Sequence, residues 1–243
     1  MHAIDIRNMT KQYGEKLAVN DVSLTIEKGE LFALLGMNGA GKTTLISMLP
    51  CLTKPTSGEA LLLGKSILNE TDDVKQLIAV SPQETAIAPN LTVRENIELM
   101  AALYGFDKKS IQLKTEQMIK QFSLEPYANK KSKTLSGGWK RKLSIAMALI
   151  SEPKILFLDE PTLGLDVLAR RELWAVIEKL KENTTIILTT HYLEEAEALS
   201  NRICIMKDGH IKALGTVAQL IEKANTANFE DAFVKLAMEG DQS

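Results

Sequence analysis

Apolar and polar positions along the chain fall into two rhythms, one of period two or unbroken and one of helical spacing. Val22, Leu24 and Ile26 alternate with polar residues, the mark of a half-buried strand, and Lys28-Gly29 supplies a turn after them. Residues 31–35 are continuously apolar and of strand length, which predicts a strand covered on both faces. That run leads straight into a glycine-rich loop. Residues 43–52 then read as a helix stopped near Pro55, residues 54–58 as a loop and residues 60–63 as another short strand. From about residue 86 the texture changes. Residues 91–128 are rich in Glu, Lys, Gln, Leu and Met, as surface helices are, and Thr92 with Glu95 forms a capping box for the first of them.

Leu143, Ala146, Met147 and Ile150 keep helical spacing until Pro153, and residues 155–158 form a second apolar strand. Asp166 reads as the N-cap of a helix with Leu173, Val176, Ile177 and Leu180 on one face. Residues 185–190 predict a third buried strand. Residues 203–206 and 211–214 flank Asp208-Gly209, a strong hairpin signal, and Phe229, Phe233 and Leu236 mark an amphipathic tail helix. Strands alternating with helices predict an α/β fold with a parallel sheet. To it are added an antiparallel β portion at the N-terminus and a helical insert at about 86–150. A short helical tail, at about 216–243, completes a single domain over 1–243.

Composition narrows the function classes. The chain has 243 residues, 45% apolar and 25% charged, as in ordinary globular proteins. Lys plus Arg is 29 against 31 Asp plus Glu, a net charge of −2, which argues against a nucleic-acid binder relying on bulk positive charge. Cys51 and Cys204 are too few and too far apart in sequence for a disulfide scaffold or a four-ligand zinc site, and read as two reduced buried thiols. The segment 31–53 carries only Lys42 as a charge, but Gly36, Gly39 and Gly41 interrupt it, so it does not read as a membrane span. The first residues show neither a basic segment nor an apolar core of a signal peptide. The chain is expected not to enter a bilayer on its own.

Three constellations carry chemistry. Gly36-Met37-Asn38-Gly39-Ala40-Gly41-Lys42-Thr43 matches G-x-x-x-x-G-K-[ST] at every fixed position, after a buried strand and before a helix. Its glycines let successive N–H groups wrap phosphate oxygens at a helix N-terminus. Lys42 then brings a charge to the β- and γ-phosphates, and the Thr43 hydroxyl is placed for Mg²⁺. Second, Asp159-Glu160 follows four apolar residues and so lies at the C-terminal edge of the sheet, where α/β proteins bind ligands. Asp159 suits Mg²⁺ and Glu160 suits a general base for water; read alone, the pair equally fits a helix cap. Third, Ser136-Gly137-Gly138 opens a helix and offers bare backbone N–H groups to an anion, or caps the helix in the ordinary way. Lys130, Lys131, Lys133, Lys140, Arg141 and Lys142 around it read as a solvated basic face, or as charge that attracts a nucleotide.

One full phosphate cradle and one partial one, in this order with Asp159-Glu160, Gly164-Leu165-Asp166 and His191, resemble the nucleotide-binding subunit of an ABC transporter over nearly the whole chain. The resemblance implies a P-loop ATPase fold, ATP and Mg²⁺ as ligands, and a set of roles. Residues 36–43, with the adjoining Thr44, match the phosphate loop, and Ser136, Gly137 and Gly138 match the signature. Glu160 matches the catalytic base and His191 the switch histidine that contacts the γ-phosphate. Gln83, in Ser81-Pro82-Gln83-Glu84, matches the glutamine that senses Mg²⁺ and attacking water. Tyr13 matches the aromatic that stacks on adenine. Outside the resemblance, Tyr13 fits a ring packed on its own sheet, Gln83 a surface loop residue and His191 a structural histidine. Trp139 departs from the glutamine usual at the end of the signature, which removes the contacts that amide would make. Met37 replaces a common proline.

The segments 160–166, 190–197, 209–216 and 228–233 look most like the drug, sodium or polymer exporters whose membrane subunits are separate chains. The implied function is ATP hydrolysis between two such subunits, as a homodimer or heterodimer, driving export through an integral-membrane permease. The implied place is the cytoplasmic face of the cell membrane, with no nucleic-acid partner. The alternative is a soluble ABC-type ATPase acting on ribosomes or nucleic acid.

Overall fold

A computed structural model describes residues 2–238. Two sheets organise it. Strands β1 (His2–Tyr13), β2 (Lys16–Glu27), β4 (Ser57–Leu62) and β5 (Lys65–Ser66) form an antiparallel sheet in the order β2-β1-β4-β5. The second sheet has the order β10-β9-β3-β8-β7-β6. In it β3 (Leu31–Leu35), β6 (Ile78–Ser81), β7 (Ile155–Asp159), β8 (Thr185–Thr190) and β9 (Arg202–Lys207) run parallel, and β10 (His210–Gly215) closes one edge antiparallel.

The central strands are buried along their whole length. Successive side chains point to opposite faces, and the two faces bury different layers. Phe32, Leu34, Ile155, Phe157 and Ile187 join the core shared with the antiparallel sheet and helix α1 (Lys42–Met48). Leu31, Leu156, Leu158, Ile186 and Leu188 pack instead against the helices of residues 93–180. These helices are α3 (Val93–Leu103), α4 (Lys108–Gln121), α5 (Gly137–Leu149) and α6 (Val167–Leu180). A third cluster joins Ala33, Leu35, Ile203 and Ile205 to helices α7 (Leu193–Leu199), α8 (Val217–Ala224) and α9 (Phe229–Met238).

Most boundaries follow the sequence pattern. The Thr92–Glu95 capping box forms in both directions, Asp166 accepts a hydrogen bond from the Ala169 N–H, and Asp208-Gly209 makes the hairpin turn with φ of 50° and 77°. The predicted helix over 43–52 is shorter, Lys42–Met48. Its end is closed when the N–H groups of Leu52 and Thr53 both bond to the Ser47 carbonyl, with Cys51 at φ 62°. Helix α2 (Thr71–Leu77) is absent from the sequence reading, because Val74 is its one buried residue and no apolar stripe announces it. In the insert, α5 belongs with the sheet: it is buried nearly all round and shares its core with Leu156 and Leu188. In the tail, Phe229 and Leu236 are buried and Phe233 partly so; residues 239–243 lie outside the described residues.

Phe157 is fully buried between the two sheets. Phe157→Ala is expected to destabilise the fold by about 3–5 kcal/mol through lost burial and the cavity left behind, read as a lower urea midpoint.

Candidate active site

Parallel pairing brings the C-terminal ends of β3, β6, β7 and β8 to one edge of the sheet. Leu35 pairs with Thr190, Asp159 with Thr189 and Ser81 with Leu158. The residues that follow each strand therefore converge: Gly36 after β3, Pro82 and Gln83 after β6, Glu160 after β7 and His191 after β8. Between them lies a cleft of 590 Å³ lined by Asn38, Gly39, Ala40, Gly41, Lys42, Thr43, Thr44, Gln83, Glu160 and His191, with Lys16, Ala18 and Leu163 completing its wall.

The 36–43 loop has little steric latitude. Gly41 has φ +101°, and a Cβ there would lie 2.3 Å from the Ala18 carbonyl oxygen. A Cβ at Gly36 would meet the Met206 carbonyl oxygen at 2.4 Å. Lys42 is 5% exposed, and its ammonium donates to the carbonyls of Gly36 at 2.7 Å and Met37 at 3.2 Å, at the heart of the loop. Burial pushes that ammonium below the ordinary lysine range, while the charges of Glu160 and Asp159 pull it back up.

The acidic pair is fixed by Thr189, a residue the sequence reading did not single out. Its hydroxyl donates to Asp159 Oδ1 and accepts from the Glu160 N–H at 3.0 Å, while the same N–H reaches the Thr189 carbonyl at 3.1 Å. These bonds hold Glu160 at φ 43°, a left-handed conformation that a non-glycine residue adopts at a cost. The carboxylate meets His191 Nδ1 at 3.2 Å. Asp159 lies just behind the cleft, 9% exposed.

Some expected site residues lie elsewhere. Tyr13 does not line the cleft; the residue is 50% exposed, with the Lys11 ammonium 4.9 Å from the centre of its ring. Met37 is an exposed side chain outside the lining, in keeping with a position read through its backbone. Ser136, Gly137 and Gly138 are also outside it. Ser136 has the backbone of an N-cap, φ −67° and ψ 165°, but its side chain makes no capping hydrogen bond. Its hydroxyl and the first-turn N–H groups of α5 are thus left for another partner. Gly137 lines a neighbouring cleft of 420 Å³ whose wall includes Gln83, Glu160 and Leu165.

One further feature corrects the sequence reading, and one extends it. Arg141 and Lys142 are buried, not part of a solvated basic face. Trp139 is folded inward: its ring lies 4.5 Å from that of Tyr127, the Lys142 ammonium sits 4.2 Å over it, and that ammonium pairs with Glu172 at 2.8 Å. The indole braces the start of α5 against α6, a packing role that glutamine could not fill.

Thr189→Val removes the hydroxyl shared by Asp159 and Glu160 while keeping a β-branched side chain. Nucleotide turnover is expected to fall about 10- to 100-fold, with nucleotide affinity little changed. Steady-state kinetics beside a direct binding titration separates the two.

Comparison with known proteins agrees with this geometry. The sequence pattern of the family described as ABC transporter matches residues 19–163. The Nod factor export ATP-binding protein I of Burkholderia lata is 40% identical over 220 residues, covering 90% of this chain and 72% of that protein. The phospholipid-transporting ATPase ABCA3 of Homo sapiens is 43% identical over 222 residues, covering 90% of this chain and 13% of that protein. A solved dimeric ATP-binding cassette in a post-hydrolysis state, bound to ADP and Pi, is similar with a TM-score of 0.78 at 28% identity, covering 88% of this chain and 98% of that one. With the glycine-rich loop, the acidic strand end and His191 gathered at one sheet edge, the chain belongs to the ABC transporter family, as one of its ATP-hydrolysing cassettes.

Proposed function

We propose that two such chains, identical or related, bind ATP between them and drive export through a separate integral-membrane permease. The observation that carries this reading is the separation of the two phosphate-binding halves. Residues 38–43 of the loop line one cleft, while Ser136 and its helix N-terminus stand outside it with no cap bond. A single chain thus holds two complementary halves that it does not bring together, and a symmetric pair completes both sites at once. Leu163, Val167 and Leu168 are exposed beside residues 164–166, an apolar rim suited to such a contact.

Lys42 and the loop N–H groups hold the phosphates, and Tyr13, moved onto the base, offers it a stacking face. Glu160 accepts a proton from a water whose oxygen forms the bond to the γ-phosphorus; the bond to the bridging oxygen breaks, leaving ADP and phosphate. His191, 3.2 Å from Glu160, orients that carboxylate and reaches the γ-phosphate. The oxygen donors of Thr43, Gln83 and Asp159 are of the hard type that Mg²⁺ prefers, gathered in or just behind the cleft. They would hold the ion, which supplies neutralising charge to the phosphate oxygens.

Export is supported by the name of the Burkholderia lata relative. The relatives named are transport proteins, which favours transport over the alternative of action on ribosomes or nucleic acid. Among the described residues no helix is long and apolar enough to cross a membrane. The proposed station is therefore peripheral, on the cytoplasmic face of the cell membrane, held there by the permease.

Glu160→Gln keeps the shape and hydrogen bonding of the side chain but removes its basicity. Hydrolysis is expected to fall about 10²- to 10⁴-fold, while ATP binding persists and ATP converts the variant to a dimer. Size-exclusion chromatography with light scattering reads the dimer; turnover at the wild-type rate would remove Glu160 from its role. Lys42→Ala is expected to abolish nucleotide binding and turnover together, which a fluorescent-nucleotide titration checks.

A further inference from the structure

Arg141 has no part in the roles above, yet its surroundings are unusual. It is 4% exposed on the second turn of α5, and every hydrogen bond it makes goes to a main-chain carbonyl. Nη1 donates to the Pro82 carbonyl and, at 3.4 Å, to that of Gln83; Nη2 donates at 2.8 Å to the carbonyl of Asp159. Burial lowers its guanidinium to about 10, with Asp159 and Glu195 pulling the other way. A desolvated charge hydrogen-bonded to backbone and not to a carboxylate stabilises a fold poorly, so its effect is geometric. The planar fork spans two separate backbone segments that a single-point donor could not span.

Those segments belong to the chain's own nucleotide cleft: the loop carrying Gln83 and the strand end carrying Asp159-Glu160. The helix that bears Arg141 begins at the other half-site, Ser136 to Gly138. We infer that Arg141 is a positioning residue that ties a chain's own hydrolytic edge to the helix it presents to its partner's nucleotide. This inference rests on the shared-site reading above. When α5 closes on the partner's nucleotide, the guanidinium carries the Gln83 loop and the end of β7 with it. Occupancy of one site thereby sets the geometry of the other.

The test uses Arg141→Lys, which keeps a charge but cannot bridge Pro82 and Asp159 at once, and Arg141→Met, which removes it. Both are made in the wild-type chain and in a Glu160→Gln background. For each variant that melts within a few degrees of its parent, kcat is expected to fall at least tenfold while KM stays within about threefold. Binding of trinitrophenyl-ATP to the monomer is expected to stay within twofold. Amide exchange of residues 83–85 is expected to quicken while that of α1 does not. The double variants are expected to need at least tenfold more ATP to dimerise than Glu160→Gln alone. A folded Arg141→Lys chain with kcat within twofold of wild type, or with KM rising as kcat falls and exchange at 83–85 unchanged, overturns the inference. Should Arg141→Met fail to fold, Arg141→Lys decides alone. If Glu160→Gln itself stays monomeric in ATP, the shared-site reading fails, and the inference with it; if it dimerises and the double variants match it, only the inference fails.

Discussion

In-register parallel pairing of β3, β7 and β8 governs everything downstream, because strands buried on both faces cannot carry chemistry along their length. Their side chains are committed to two apolar layers, and the polar work is pushed to the residue after each strand's last rung. Gly36, Glu160 and His191 occupy those places. Register sets their relative height, so a slip of one residue would invert both core faces and disperse the site together. Stability and catalysis are therefore coupled through the same hydrogen-bonded ladder.

Two polar residues adapt this frame to its task. Thr189 sits within a fully buried strand and spends its hydroxyl on the neighbouring strand's acids, fixing Glu160 in a left-handed conformation. Arg141 does the corresponding work from the helical layer, binding carbonyls of two loop ends. Trp139 adds a third brace, where its tilted contact with Tyr127 and its place beneath Lys142 join the start of α5 to Glu172 on α6. The edge of the sheet is thus held from behind, while at the start of α5 the Ser136 side chain makes no capping hydrogen bond.

Much of this was legible in the sequence, for identifiable reasons. The phosphate loop, Asp159-Glu160 and the hairpin at Asp208-Gly209 depend on residue type at fixed local spacing, which a sequence displays directly. The unbroken apolar runs at 31–35 and 155–158 announced two-sided burial. Thr189 was not legible: a threonine in a strand fits β-propensity alone, and its partner is 30 residues away. Arg141 lay in a run of basic residues that looks like a solvated face; its one sign is that it precedes Ile145 by four, on the buried side of α5. Tyr13 shows the opposite limit: the resemblance marked it for the site, and the structure places it outside the cleft, half exposed.

The claim that each site is assembled from two chains is tested most directly by complementation between two damaged halves. Lys42→Ala and Ser136→Arg chains, both in a Glu160→Gln background, are mixed with ATP and examined by native mass spectrometry. The expected result is a heterodimer holding a single ATP, because one of its two sites combines an intact loop with an intact helix N-terminus. Failure of the heterodimer to form, under conditions where the Glu160→Gln chain alone dimerises with ATP, would contradict shared sites.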